Sequence, residues 1–179
     1  AAENFSADII VSLTGDNPMI DSFLIDDMVD YFLDGNYDYV TNTYMQHTDK
    51  WKCERTFPRG ISVQIYWNKV LKEVDREFKN HSYREHITFG IYHRDDNKYK
   101  LGGFAAEGKY LEWKEPELRF TIDTIEDYNL MNNIFNMLYP SDKLFSSKLA
   151  IRLVKKNKNL KIINSKVIQK IAYKELDDC

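Results

Sequence analysis

Apolar and polar residues in the first forty positions divide the chain into a short apolar run, a turn and an amphipathic stretch. The run at residues 8–13 is rich in β-branched side chains, which predicts a strand buried on both faces of a parallel sheet. The turn formers at residues 14–18 end this strand. Apolar residues within 22–33 recur at helical spacing, and Gly35 stands where a left-handed cap would end that helix. A strand at residues 37–43 completes a predicted strand-helix-strand crossover unit.

The middle of the chain continues to alternate between strand and helix periodicities. Strict alternation at residues 61–66 predicts a half-exposed strand, and residues 68–78 carry apolar side chains at helical spacing. A capping-box spacing predicts the start of another helix over residues 82–92. Two more strands are predicted at residues 99–104 and 118–122, so the pattern is that of an α/β protein.

The last third of the chain is predicted to be helical. Thr124 is expected to cap one helix, and Ser146 is expected to begin a final amphipathic helix. The core face predicted for the first of these helices consists of Tyr128, Met131, Ile134, Phe135 and Leu138. Residues 44–59 are polar, aromatic and irregular, as functional loops often are. With no internal repeat or linker, the pattern predicts a single α/β domain over residues 1–179, in which residues 141–179 form a C-terminal helical extension.

The composition is that of a folded domain without a strong net charge. Hydrophobic residues make up 43% of the chain and the net charge is −3, which supports a real core and argues against a nucleic-acid partner. Cys53 and Cys179 cannot form a disulfide framework, and this favours reduced thiols and a cytoplasmic location. No apolar run approaches the ~20 residues that a membrane-spanning helix needs, so no membrane association is expected.

Two aspartates each follow a predicted strand. Asp16 comes just after the strand at 8–13, and Asp123 comes just after the strand at 118–122. Ligands of open α/β sheets bind outside the carboxyl ends of the strands, and magnesium takes one or two carboxylates together with substrate phosphates and water. Gly15 would let a nucleotide approach the backbone closely. The alternative is structural, since Asp16 suits an Asx turn and Asp123 suits a helix cap; spacing alone does not decide between the two.

Five collinear segments, which together extend over nearly the whole chain, resemble the cytidylyltransferase family. That family includes a spore-coat polysaccharide protein and the synthetases that join CMP to keto-deoxy-octulosonate or acylneuraminate. The segments are LTGDNPMID at 13–21, YDYVTNT at 37–43, RTFPRG at 55–60, REHIT at 84–88 and LRFTIDT at 118–124.

The resemblance implies a Rossmann-like nucleotide-diphospho-sugar transferase fold, with a mostly parallel sheet flanked by helices. It implies transfer of CMP from CTP to a sugar hydroxyl with release of pyrophosphate. In the related synthetases the aspartates at the positions of Asp16 and Asp123 hold magnesium, so the resemblance favours a metal site with Mg²⁺ as cofactor. A homodimer formed through the helix near residues 84–92 is also implied by the relatives.

The resemblance further suggests a set of substrate-binding residues. Arg55, Arg59 and Arg119 are candidates to bind a carboxylate or phosphate of the sugar, because a guanidinium matches planar anions. Glu85 and His86 fall where the family places residues that contact the sugar, although Glu85 also suits a capping box and His86 also suits helix packing. The motif placement adds four more candidates, namely Gly15, Pro18, Asn42 and Gly60.

Three departures from the family pattern affect these expectations. Ser62 and Gln64 stand where the family commonly has acidic residues, which leaves the identity of the sugar open. Ile125 replaces the usual proline after Asp-Thr, a change that a helix start tolerates. No segment resembles the N-terminal loop that grips the triphosphate in the family. We therefore expect an N-terminally incomplete fold, and we expect no transferase activity from this chain alone.

Two other functions remain open from the sequence. A metal-dependent glycosyltransferase of related fold would carry an Asp-x-Asp pair at a strand end, and Asp95-Asp96 is the nearest pair, within a segment predicted to be a hairpin turn. A non-catalytic partner subunit would explain the missing loop, but the presence of both Asp16 and Asp123 opposes it.

Overall fold

The computed structural model of the chain describes residues 1–43, 45–47, 51–79, 86–93 and 98–168, with 45–47 and 51–53 described as backbone only. Six strands lie in these ranges: β1 (Ile9–Ser12), β2 (Tyr39–Thr41), β3 (Met45–His47), β4 (Trp51–Cys53), β5 (Gln64–Trp67) and β6 (Leu101–Gly103). Strands β3 and β4 form a separate antiparallel pair. The other four form one sheet in the order β1-β5-β2-β6.

This main sheet is mixed. Strand β5 runs antiparallel to both of its neighbours, β1 and β2, whereas β2 and β6 are parallel. Three of the four strands therefore point the same way, but the expectation of a mostly parallel sheet is not confirmed. The alternation of side chains that predicted β5 is itself typical of an antiparallel strand. Strand β5 is not half-exposed, however, because Ile65 and Tyr66 on its opposite faces are both buried.

Strand β1 differs from its predicted environment. All four of its residues are only partly buried, and it lies at one end of the sheet order in the described residues. A continuous apolar run does not distinguish a central strand from a strand at the end of a sheet. The predicted strand at residues 118–122 is an extended segment with an isolated bridge between Arg59 and Arg119, outside the main sheet.

Helices cover both faces of the sheet. They are α1 (Ser22–Asp34), α2 (Asn68–Glu77), α3 (Phe89–Tyr92), α4 (Ile125–Leu138), α5 (Ser147–Lys156) and α6 (Lys158–Ile162), with a 3-10 helix at Gly108–Trp113. Val40 and Ile65 pack in a core with residues of α1, α4 and α5, while Tyr39 and Tyr66 pack with residues of α2 and α3. Since adjacent strand residues face opposite ways, the sheet lies between two helical layers, as expected for an α/β fold.

Helix ends follow the predicted capping chemistry in most places. Thr124 accepts a hydrogen bond from the Asp127 amide in a capping box, and Ser146 caps α5. Gly35 does not adopt the predicted left-handed conformation, since its φ is −79°, and Asn36 with φ 47° takes that conformation instead. The prediction that Tyr128 belongs to the core of α4 is wrong, because its side chain is 52% exposed.

Part of the predicted helix at 82–92 falls outside the described residues. Helix α3 confirms its end, whereas residues 82–85 are not described, so the capping-box role of Glu85 and the homodimer through this helix stay predictions. Within the described ranges, none of the helices has the length and apolar character required to cross a bilayer.

Candidate active site

The site lies at one edge of the main sheet. Strands β1, β2 and β6 point in the same direction, so their carboxyl ends share this edge. The exposed turn with Gly15 and Asp16 follows β1, and Asn42 follows β2. Both segments thus reach the edge at which ligands of α/β sheets bind.

A backbone contact joins residues 59–60 to the extended segment 118–122. The Arg59 amide donates to the Leu118 carbonyl at 2.9 Å, and the Phe120 amide donates to the Arg59 carbonyl at 2.7 Å. Gly60 has φ +84°, and a Cβ at this position would lie 2.2 Å from the Thr121 nitrogen. Only glycine allows this approach. The structure therefore gives Gly60 a clear architectural role, and its predicted substrate contact stays a prediction.

The same extended segment is fixed to the turn that holds Asp16. The Ile122 amide donates to the Asp16 carbonyl at 2.9 Å, and the Thr121 hydroxyl donates to the Asp16 carboxylate at 3.0 Å. Asp123 is the next residue along this segment. The structure therefore brings the two predicted metal ligands, 107 positions apart in sequence, to neighbouring places at the edge.

Asp123 is not the cap of α4. That role belongs to Thr124, as predicted. The Asp123 side chain is 43% exposed, and one of its carboxylate oxygens accepts a hydrogen bond from Arg119 Nη2. The carboxylate thus reaches solvent while its position is held by a neighbouring cation.

The two carboxylates at this edge could hold a magnesium ion whose remaining ligands come from the substrates. Both carboxylates are exposed, and Thr121 and Arg119 each orient one of them. In the described part of the chain, no group of three or more histidine, cysteine, aspartate or glutamate side chains could hold a metal. Magnesium does not need a complete protein cage, and a pair of carboxylates that shares the ion with phosphates and water suits it.

A cavity of about 360 Å³ brings the three predicted arginines together. We call it the arginine cavity; its lining consists of Arg55, Arg59, Pro116, Glu117, Arg119, Asn164, Ser165 and Val167. Burial and the charge of Arg119 lower the pKa of Arg59, and Glu117 opposes this effect. Two guanidinium groups thus repel each other across a partly buried space. Such an arrangement is suited to an anion, which would offset the repulsion.

Arg119 is held by the carboxylate of Asp127, which is not among the candidate residues predicted from the sequence. Its side chain is 7% exposed, and its Nε donates to Asp127 Oδ1 at 2.9 Å. Burial opposes the charge of Arg119, but the hydrogen bonds and charges of Asp127 and Asp123 outweigh this and raise its pKa. Burial likewise raises the pKa of Asp127, but hydrogen bonds from Arg119, from Asn164 and from the backbone outweigh it, so this pKa lies below its usual range.

Neither Asp127 nor Asn164 is among the predicted site residues, and the sequence indicates only the first of them. Asp127 stands three positions after Thr124, which is the spacing of a capping box and could have indicated a fixed carboxylate. Asn164 donates from Nδ2 to Asp127 Oδ1 at 2.8 Å and to the Arg119 carbonyl at 2.9 Å. It lies in a polar stretch without a motif, and nothing in the sequence distinguishes it from its neighbours.

Other predicted substrate residues lie in different surroundings. Asn42 is fully buried, donates to the Ile61 carbonyl at 2.8 Å and accepts from the Val63 amide at 2.9 Å. This ties the segment before β5 to the end of β2. His86 stacks on Phe89 with ring centroids 4.6 Å apart, as the packing alternative expected.

The remaining candidates divide between the exposed turn and the undescribed ranges. A Cβ at Gly15 would meet nothing within 4 Å, so the backbone there is open to a ligand. Pro18 is exposed and lines a second cavity of about 500 Å³ between the start of α1 and the start of α5. Glu85 and the pair Asp95-Asp96 lie outside the described residues.

Comparison with known proteins gives consistent results. A family model described as cytidylyltransferase matches residues 1–164. The chain is 31% identical over 181 residues to MJ1063, an uncharacterized protein of Methanocaldococcus jannaschii, covering 99% of this chain and 65% of the relative. It is 28% identical over 151 residues to the spore coat polysaccharide biosynthesis protein SpsF of Bacillus subtilis, covering 83% of this chain and 55% of the relative.

A solved structure resembles the fold as a whole. It is a cytidylyltransferase from Leptospira borgpetersenii serovar Hardjo-bovis, with a TM-score of 0.74 and 32% identity. The match covers 94% of this chain and 64% of that structure. The chain thus spans between about half and two thirds of the length of each of these relatives.

Proposed function

The chain belongs to the cytidylyltransferase family, and from this membership we propose that the intact protein transfers CMP from CTP to a hydroxyl of a sugar or sugar acid and releases pyrophosphate. One relative is a spore coat polysaccharide biosynthesis protein, which supports surface polysaccharide synthesis as the use of the product. The single observation that carries the proposal is the fixation of Asp16 to the segment that ends in Asp123, beside a cavity lined by three arginines.

In this proposal Asp16 and Asp123 hold Mg²⁺ at the edge of the sheet. When bound, the ion would offset negative charge at the α-phosphate of CTP and lower the pKa of the attacking hydroxyl. The Thr121 hydroxyl keeps the Asp16 carboxylate in place, and the open backbone at Gly15 leaves room for a phosphate. The side chains thus act chiefly by positioning the two substrates.

The arginine cavity orients the acceptor. Arg55 and Arg59 are half-buried and Arg119 is buried, so an anionic group that enters the cavity meets guanidinium groups that are partly removed from water. Charge-assisted hydrogen bonds are stronger and more directional than neutral ones. We therefore expect the acceptor to be a sugar acid or another sugar with an anionic substituent.

The proposal is tested by measuring pyrophosphate release from CTP by the intact protein, with Mg²⁺ and a panel of sugar acids and uncharged sugars. Release is expected with at least one sugar acid and not with the uncharged sugars. Asp16→Asn and Asp123→Asn should each lower the rate by about 1,000-fold, since a metal contributes several kcal/mol to such a transition state. Asp30→Asn, at an exposed position on α1, is the matched control and should retain the parent rate.

Two results would contradict the proposal. One is the absence of pyrophosphate release with every combination of CTP and sugar in the panel. The other is full activity in both Asp16→Asn and Asp123→Asn, which would return these aspartates to structural roles in the turn and the segment that hold them.

A further inference from the structure

Arg119 connects the exposed carboxylate at the sheet edge to the arginine cavity. Its Nη2 donates to Asp123, its Nε donates to Asp127, and its side chain forms part of the cavity wall. A long flexible side chain with this much rotational freedom needs fixed partners to hold one orientation. The partners of Arg119 therefore decide how its guanidinium is presented.

Asp127 is a rigid partner. It is fully buried, and each of its carboxylate oxygens accepts two hydrogen bonds. Oδ1 accepts from Arg119 Nε at 2.9 Å and from Asn164 Nδ2 at 2.8 Å. Oδ2 accepts from the amides of Asp123 and Thr124, both at 3.1 Å. Rotation of this carboxylate would break several bonds in a buried place, so its orientation is fixed.

Asn164 closes the network from the other end of the chain. It is 5% exposed, and its Nδ2 donates both to Asp127 Oδ1 and to the Arg119 carbonyl. One amide thus holds both the backbone of Arg119 and the carboxylate that binds its side chain. Asn164 and Ser165 also line the arginine cavity directly. The segment after α6, within the predicted C-terminal extension, is therefore part of the cavity wall.

Asp127 and Asn164 hold Arg119 in place despite electrostatic repulsion between Arg119 and Arg59. Burial lowers the pKa of Arg59, and the like charge of Arg119, which lines the same cavity, lowers it further. Without the hydrogen bond to Asp127, repulsion by Arg59 would favour rotation of the Arg119 guanidinium away from the cavity. Anchoring by Asp127 and Asn164 keeps positive charge in the cavity, where an anion can use it.

We propose that Asp127 and Asn164 are positioning residues that hold Arg119 in the orientation in which it binds an anionic group of the acceptor, so that anion recognition depends on the C-terminal extension. This inference rests on the proposed function of the same cavity. The simpler alternative is that Asn164 only docks the extension onto the domain. Anion affinity distinguishes the two alternatives. If Asn164 positions Arg119, its substitution weakens anion binding; if it only docks the extension, its substitution lowers stability alone.

The experiment measures the affinity of the intact protein for inorganic phosphate by calorimetric titration, alongside urea unfolding of each variant. Asn164→Leu removes both donated hydrogen bonds at nearly constant volume and adds no charge. Asn157→Leu is the matched control, because Asn157 caps α6 in the same extension but does not line the arginine cavity. We expect phosphate affinity to fall about tenfold in Asn164→Leu, as for a lost charge-linked hydrogen bond, and to stay at the parent value in Asn157→Leu.

A second measurement keeps the test valid if Asn164→Leu does not fold. Asn164→Ser retains one donor that cannot reach both acceptors, and Asn164→Gln retains the amide. Phosphate affinity should fall in the serine variant and recover at least partly in the glutamine variant. The Nε–H signal of Arg119 in a nitrogen-proton NMR spectrum, assigned by its disappearance in Arg119→Lys, should move in the serine variant and stay in place in Asn157→Leu.

The outcomes separate the two proposals. One outcome is that Arg119→Lys weakens phosphate binding while Asn164→Leu and Asn164→Ser leave it unchanged. That outcome would overturn the positioning role alone. Equal loss of affinity in Asn164→Leu and Asn157→Leu would also overturn it, since that loss would follow stability. If the parent protein does not bind phosphate in a way that depends on Arg119, both the positioning role and the anionic acceptor are wrong.

Discussion

Two aspartates four positions apart, Asp123 and Asp127, have opposite surroundings. The side chain of Asp123 is 43% exposed and is held by Arg119, whereas that of Asp127 is fully buried and accepts four hydrogen bonds. A buried charge is tolerated only when its partners are complete, so Asp127 is committed to the fold. Asp123 keeps oxygen atoms within reach of solvent, and it can give them to a ligand.

Removal of the buried carboxylate should destabilise the fold far more than removal of the exposed one. Asp127→Ala leaves Arg119 buried without its main partner, and we expect a loss of about 3–5 kcal/mol in the free energy of unfolding. Asp123→Ala should cost less than about 1 kcal/mol, because that pair is partly exposed and screened by solvent. Urea unfolding of both variants measures the difference. Equal losses would mean that the two carboxylates are not separated by burial as described.

The second prediction uses pH to test the same buried carboxylate. The pKa of Asp127 is lowered in the folded protein, so its ionised form stabilises the fold above its ordinary pKa of 3.8. That contribution is lost as the pH falls through the lower, folded pKa. The stability difference between the parent and Asp127→Asn should therefore be largest near neutral pH and shrink below about pH 4. A difference that grows on acidification would contradict the assigned direction.

The third prediction concerns the backbone contact between residues 59–60 and the extended segment that leads to Asp123. Gly60→Ala places a side chain at positive φ and a Cβ 2.2 Å from the Thr121 nitrogen. A left-handed alanine alone costs about 1–2 kcal/mol, and the backbone clash should add to this. Gly108→Ala is the control, since Gly108 has φ +53° but a Cβ there would meet nothing within 4 Å. Thermal unfolding should show a clearly larger loss for Gly60→Ala than for Gly108→Ala.

The cap at the start of α4 stabilises the helix and should have little influence on anion binding. Thr124→Ala removes the cap of the helix and should cost about 1 kcal/mol, while Thr124→Ser should retain most of the stability. Phosphate affinity should stay near the parent value in both, because Thr124 does not line the arginine cavity. A strong loss of phosphate affinity in Thr124→Ala would show that the cap and the cavity are not separable.

Local chemistry in the sequence predicted the elements and part of the site. The capping residues Thr124 and Ser146, the strand-end position of Asp16 and the αβ alternation are all properties of short segments, and the structure confirms them. Family membership, carried by five collinear motifs, is confirmed by the match over residues 1–164. The three arginines come from two separate motifs, RTFPRG and LRFTIDT, and they do line one cavity.

What the sequence did not predict depends on contacts between distant segments. The antiparallel insertion of β5 between β1 and β2 is a matter of strand order, which periodicity does not encode. Asn164 binds the Arg119 carbonyl although it lies 45 positions further along the chain, and no recognisable sequence motif surrounds it. The motifs predict a substrate contact for Gly60, but they do not predict its close approach to Thr121, which depends on the three-dimensional fold.

We propose that Asp16 and Asp123 together bind Mg²⁺, whereas Asp127 does not bind the ion. The most direct test is titration of the intact protein with Mn²⁺, a spectroscopic substitute for Mg²⁺, followed by electron paramagnetic resonance of the free ion. We expect Asp16→Asn and Asp123→Asn each to weaken Mn²⁺ binding at least about tenfold, with unchanged urea unfolding and with the parent affinity in Asp30→Asn. Parent-like Mn²⁺ affinity in both Asp16→Asn and Asp123→Asn would show that these two aspartates are not the metal ligands.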